Sequence, residues 1–298
     1  MPASEKHHAI EYLFDSHLDA TGQLTNPIVT QDEVQAAIEW SNANRETDLS
    51  PRNPANFMKD IVRGLGGNRM WPERLRTLRI TADQVAGDNA VFRFMQYAQG
   101  QTEPFPNPFT YKPDGTIKAQ PIQSLSLPAV TKALGRDDEN YLIQVAVRLS
   151  VIETHFALTS PLQGRLSEVH HLQVGLKLRK TEIDTMFLAS LVEGQQSYPV
   201  LITAEAKKRG QRIVESQIKR QVEGALKAVA HIDRVVPIAM TSTHEGIYVV
   251  EFEQVLRANG GEFELELVAE GFYKLVPPVN GIGYKGPKAR AAPRARER

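Results

Sequence analysis

The chain contains no cysteine. That absence excludes disulfides, thiolate zinc centres and cysteine nucleophiles, and it suits a reducing cytoplasm. No run of about 18 apolar residues occurs, so no membrane-spanning helix is expected. The opening Met1-Pro2-Ala3-Ser4-Glu5 lacks the basic-then-apolar pattern of a secretion signal. A net charge is missing too: 35 basic and 35 acidic side chains balance. What is present is 41% hydrophobic and 23% charged over 298 residues, the composition of a globular protein with room for two domains.

The balance of charge is global, not local. Residues 1–51 carry nine acids and two bases, net −7. Residues 52–79 carry seven bases and two acids, net +5, and residues 281–298 carry six bases and one acid, again +5. Local basic patches of this kind supply phosphate contacts whatever the total charge.

Hydrophobic spacing predicts helices over 8–19 and 31–43. Val34, Ala37 and Ile38 form a short stripe in the second, and Thr30 with Glu33 offers a capping box at its start. Asn53-Pro54 opens a third helix, 54–65, that Gly64, Gly66 and Gly67 close. Strands are expected at 78–82 and 90–97. Three helices followed by a two-stranded ribbon give a winged-helix outline for residues 1–98. Residues 99–128, with six prolines from Pro104 to Pro128, read as a linker without helix or central strand.

Beyond it, a helix is expected over 138–158. Strands follow at 167–179, 182–192 and 199–207, a long helix at 212–230, and strands at 234–241, 246–253 and 262–275. This order suggests an α+β or α/β fold, a mixed β-sheet flanked by helices, spanning 129–280. The Gly/Pro/Ala/Arg-rich stretch 281–298 is expected to be a disordered basic tail.

Chemistry concentrates in two strands. Thr181-Glu182-Ile183-Asp184 opens one, and Ile202-Thr203-Ala204-Glu205-Ala206-Lys207 ends the next. Both are otherwise apolar on both faces, where an unpaired charge is costly and metal binding offsets the cost. Glu205 and Lys207 are two apart and share a face. A hairpin turn at 193–198 aligns 192 with 199, putting Asp184 opposite Lys207 and diagonal to Glu205. A hard cation held by such carboxylates stabilises charge built up during phosphodiester cleavage, and the lysine orients the attacking water.

The run Lys180 to Asp184, followed by Leu201-Ile202-Thr203-Ala204-Glu205-Ala206-Lys207-Lys208, resembles the PD-(D/E)XK nuclease superfamily, and within it type II restriction endonucleases. Ile183 stands where the motif has proline. The resemblance covers about 138–255. It implies a restriction-endonuclease-like core and a Mg²⁺ ion held by Asp184, Glu205 and the backbone carbonyl of Ala206, with Lys207 serving the water. It adds Glu153 as a helical acid and Gln217, with Gln221, on the helix after the pair. By the same resemblance the protein is a Mg²⁺-dependent site-specific double-strand DNA endonuclease, a homodimer on a palindromic target, with a companion DNA methyltransferase in the same cell. A structure- or modification-specific nuclease of the same fold, and a non-catalytic winged-helix regulator, are the alternatives.

Of the other titratable groups, Glu182 shares a face with Asp184 and suits a surface role. His155 and the pair His170-His171 lack a partner at ligand spacing and read as structural. In the amino-terminal part, Arg52, Asn53, Asn56, Lys59, Arg63 and Arg69 are the candidate DNA contacts, because Asn and Arg match adenine and guanine edges.

Overall fold

Thr30 shows how local chemistry starts the first elements. Its hydroxyl accepts the Glu33 amide at 3.3 Å, and the Glu33 carboxylate accepts the Thr30 amide at 2.7 Å, the capping box read from the sequence. The structure, a computed structural model, describes residues 5–85, 87, 89–133, 135–178, 181–259 and 263–284. These form two compact units. The first takes the chain up to Thr110 with Lys177–Glu182 and Gly210–Gly224; the second takes Tyr111–Leu176, Ile183–Arg209 and the chain from Ala225 onward.

The first unit begins with α1 (Lys6–Ser16), β1 (Ile28–Thr30) and α2 (Gln31–Arg45). Short helices α3 (Lys59–Arg63), α4 (Gly67–Met70) and α5 (Glu73–Thr77) follow, then β2 (Ile80–Gln84) and β3 (Ala90–Gln96). The strands form an antiparallel sheet in the order β1-β3-β2. Ile10, Leu13 and Phe14 of α1, Val34 and Ile38 of α2, and Trp71, Phe92 and Phe94 make its core. The expected helix over 54–65 is not continuous. Pro54 opens a 3-10 turn, Pro54–Asn56, and helix resumes only at Lys59. The chain doubles back closely after α3: a Cβ on Gly67 would lie 1.8 Å from the Ile61 carbonyl oxygen, so glycine is required there. Trp71 is wholly buried and its indole N–H donates to the Ile80 carbonyl at 2.8 Å, meeting the polar demand of a buried indole.

The second unit is built on a mixed sheet. Its elements are β4 (Ala119–Gln123), α6 (Ala129–Ala133), α7 (Glu139–Arg148), α8 (Val151–Leu158), β5 (Leu166–Leu178), β6 (Thr181–Glu193) and β7 (Gln196–Lys207). After α9 (Glu215–Ala228), whose residues up to Gly224 belong to the first unit, come β8 (Arg234–Ser242), β9 (Gly246–Phe252), β10 (Val255–Leu256), β11 (Leu267–Val276), β12 (Val279–Asn280) and β13 (Gly283–Tyr284). The sheet order is β4-β11-β9-β8-β7-β6-β5, with β10 on β8. β7 and β8 are parallel and joined through the connection that contains α9; β6–β7, β8–β9 and β9–β11 are antiparallel. The fold is therefore a mixed α and β structure with a mixed sheet flanked by helices.

Residues Val200 to Lys207 are all buried, as expected of a strand covered on both sides. Val200, Ile202, Ala204 and Ala206 share a core with α7 and α8, through Leu142, Val145, Ile152 and Phe156. The odd positions, Glu205 and Lys207 among them, belong to the other face.

Three expectations need correction here. The single helix over 138–158 is two helices, bent by 60°. Ser150 between them is in the left-handed region at φ 52, so the α7 ladder cannot continue into α8. The stretch 99–128 is more than a linker, although it holds no central strand: β4, an edge strand, pairs in parallel with β11, Pro121 opposite Lys274. Proline is accommodated because β4 is the outermost strand and has only one neighbour to bond. Gly283–Tyr284 of the expected tail forms β13 against β12, and the remainder of that tail, 285–298, lies outside the described residues. No single helix among the described residues is long and apolar enough to cross a membrane.

Candidate functional site

The β6–β7 hairpin sets the site. Its turn is Gly194-Gln195, with Glu193 paired to Gln196 and Gly194 at φ 65, which glycine adopts without strain. The turn is shorter than expected, so Val192 pairs with Ser197 and not with residue 199. The ladder runs down to Thr185 opposite Ala204, and its continuation brings Asp184 to Glu205 rather than to Lys207. The correction is a slip of two residues, which preserves the face of every side chain.

Beyond Thr185 the Asp184 side chain takes over from the strand backbone. Its Oδ2 accepts the Ala206 N–H at 2.8 Å. Lys207 donates through Nζ to Glu205 Oε1. Asp184, Glu205 and Lys207 are thus gathered at one place, with Glu205 2% and Lys207 3% exposed. Burial, and next the negative charge of Glu205, push the Asp184 carboxyl up to about 7; the Ala206 N–H and Lys207 pull the other way.

Two crowded carboxylates beside one ammonium carry surplus negative charge in a dry environment. Such a set is costly alone and suits a hard, oxygen-preferring cation. Among the described residues no three His, Asp or Glu side chains gather in a group that could hold a metal. The fit therefore rests on two carboxylates, with a backbone carbonyl, water and phosphate oxygens to complete the shell.

Glu153 is not brought to this set in the way expected. It lies on α8, whose buried Ile152 and Phe156 share one core with the even positions of β7, the face opposite Glu205 and Lys207. There it lines a cavity of about 470 Å³ with Phe156, Gln163, Leu166 and Glu168. Its Oε2 is buried without a hydrogen-bond partner among the described residues, and burial raises its pKa. Gln217 and Gln221 lie on α9 within the first unit, Gln221 almost fully buried. Glu182 is exposed.

The histidines are structural in their contacts. His170 pairs with Glu168 at the surface, and His171 bonds the Thr185 hydroxyl at 3.0 Å. His155 is wholly buried, with Nε2 2.9 Å from Glu251 and Nδ1 2.9 Å from the Tyr273 hydroxyl; Ser160 donates to the same Glu251 at 2.8 Å. This network ties α8 to β9 and β11. Nothing local in the sequence marks it, because its hydrogen-bonded partners are 91 to 118 residues apart.

Of the candidate DNA contacts, Arg52, Asn53, Asn56, Lys59 and Arg69 are exposed. Arg63 is half-buried and donates through Nε to Gln84 at 2.8 Å, so it is committed to the fold. Sequence reasoning also passed over Arg212. It is 2% exposed, donates to the carbonyls of Val62 and Gly64, and is pushed down to about 10 by burial.

Comparison with protein-family models, curated proteins and solved structures finds no match for this chain.

Proposed function

We propose that the protein is a Mg²⁺-dependent, site-specific double-strand DNA endonuclease of the restriction type, acting as a homodimer. The observation that carries this is the meeting of Asp184, Glu205 and Lys207 on a buried hairpin, within the order α-β-β-β-α-β. In this reading the second unit is a restriction-endonuclease-like core and the first a winged-helix-like DNA reader, with the exposed Arg52, Asn53, Asn56, Lys59 and Arg69 against the duplex. Asp184, Glu205 and the Ala206 carbonyl would hold the ion. When bound, a divalent cation stabilises the negative charge that develops on the phosphoryl and leaving 3′ oxygens. Asp184 orients the β7 end by fixing the Ala206 amide, and Lys207, steered by Glu205, directs the attacking water and opposes developing charge.

The test is digestion of several plasmids with Mg²⁺. Discrete bands are expected, and Lys207→Ala should abolish them while leaving DNA binding. Full cutting by that variant removes the assigned site; no cutting by the wild type with Mg²⁺ or Mn²⁺ removes the function. Smears or cuts confined to ends, flaps or modified bases favour the structure- or modification-specific nuclease. Binding without any metal-dependent nicking favours a winged-helix regulator.

A further inference from the structure

β7 ends at Lys207, and two further basic residues, Lys208 and Arg209, follow it into the turn; the site described above uses only the first of the three. Arg209 is held in place by its backbone, whose N–H donates to the Ser242 hydroxyl at 3.0 Å, at the end of the neighbouring β8. Its side chain is 25% exposed and reaches two groups. Nη1 lies 3.4 Å from His244 Nδ1 in the β8–β9 turn. Nη2 lies 4.0 Å from Asp137 Oδ2, in the loop before α7.

That is little for a half-enclosed guanidinium. The group has five N–H donors in a planar fork and no acceptor of its own. The contact to His244 is long and asks the ring nitrogen to accept, and a carboxylate at 4.0 Å is an ion pair without a hydrogen bond. No other acceptor among the described residues meets the fork. Lys208 makes no side-chain hydrogen bond or ion pair among them either. Compare Arg234, whose fork is filled by Glu193 at 3.0 Å through both terminal nitrogens. Arg209 is positioned by three segments yet left with unused donors, which is the state of a guanidinium awaiting an oxyanion.

Its place says which oxyanion. The β7–β8 register sets Lys207 beside Thr241, and Arg209 follows two residues on, in the turn just past the strand end, with its N–H on Ser242 of β8. An anion gripped there is a near neighbour of the group that Lys207 serves. Resting on the nuclease reading above, we infer that Arg209 clamps a phosphodiester adjacent to the one cleaved, through a two-pronged bond to its non-bridging oxygens, with His244 and Asp137 holding the fork open toward it. Lys208 adds charge without the geometry.

Binding of a fluorescent duplex to the full chain, followed by anisotropy in calcium over a salt series, tests this. Arg209→Ala should weaken binding about tenfold and reduce the slope of log affinity against log salt by about one, the signature of a lost phosphate contact. Arg209→Lys should keep the wild-type slope, because the charge remains, while losing affinity with the fork. Thermal melting of both variants should match the wild type. Wild-type slope and affinity in Arg209→Ala overturn the inference, as does weakened binding with an unchanged slope and a lowered melting point, which marks a purely structural arginine. A wild type that binds no duplex at all overturns the nuclease reading instead.

Discussion

Asp184 is kept in the fold at the expense of its own ionisation. Its folded pKa, about 7, stands above the ordinary carboxyl value near 4. For an acid shifted upward, folding gains fully from the protonated form below the ordinary value and loses that gain as pH rises through the folded one. The metal-free protein should therefore lose stability between about pH 4 and pH 7. Thermal melts across that range should show the decline, Asp184→Asn should flatten it, and added Mg²⁺ should raise the melting point most at the alkaline end. A pH-independent melting point in the wild type would contradict the buried, Glu205-facing environment. The residue types of this site were legible because charges rarely interrupt strands apolar on both faces. The pairing of Asp184 with the Ala206 amide was not, because it depends on where the β6–β7 ladder stops. Glu153 was misplaced for a related reason: spacing along a helix says which residues share its stripe, not which face of a sheet that helix covers.

At the level of elements, α8 is fastened to the sheet by polar contacts as well as apolar ones. His155, Ser160, Glu251 and Tyr273 satisfy one another in a dry core, and removing one member takes a hydrogen bond from each of its partners. His155→Ala should cost about 3 kcal/mol, because it leaves the buried Glu251 with the Ser160 hydroxyl in place of two side-chain partners. Urea denaturation measures this; a loss below about 1 kcal/mol would mean that Ser160 and Tyr273 alone suffice. The longer strands β2, β3, β5 to β9 and β11, and α9, were foreseen to within about five residues, since their apolar runs are bounded by turn residues, whereas β1, β4, β10, β12 and β13 were not. The failures cluster where tertiary contacts override local signals. Ser150 takes a left-handed conformation that its own side chain does not favour, Gly67 packs against the Ile61 carbonyl, and Pro121 joins a sheet from a segment that reads as pure loop.

For the molecule as a whole, a zero formal charge conceals an acidic start and a basic segment from Arg52 to Arg79. On the proposed reading each chain holds one cutting set for one strand, so a duplex cut on both strands at a two-fold target calls for two chains. Sedimentation of the protein on a duplex carrying its own cleaved sequence should give two chains per duplex. One chain per duplex, with both strands still cut, would exclude the two-fold dimer. The overall class, a mixed sheet with helices, followed from the order of periodic segments. The two-unit division did not follow in full, since residues 177–182 and 210–224 join the first unit from within the stretch that reads as the second.

The hairpin that carries Asp184 and Glu205 also shapes how this chain could change over generations. Nine residue pairs run from Thr185 to the turn, roughly 27 Å of strand. Within that length a single inserted residue would swing the carboxylate to the opposite side unless a bulge absorbed it. A pair of residues would only slide it one step. Length variation in β6 should therefore be inherited in twos, whereas the exposed Gly194-Gln195 tip, remote from the chemistry, is free to lengthen by any number. The same tip offers a place to graft a label or a tether without disturbing Asp184, Glu205 and Lys207.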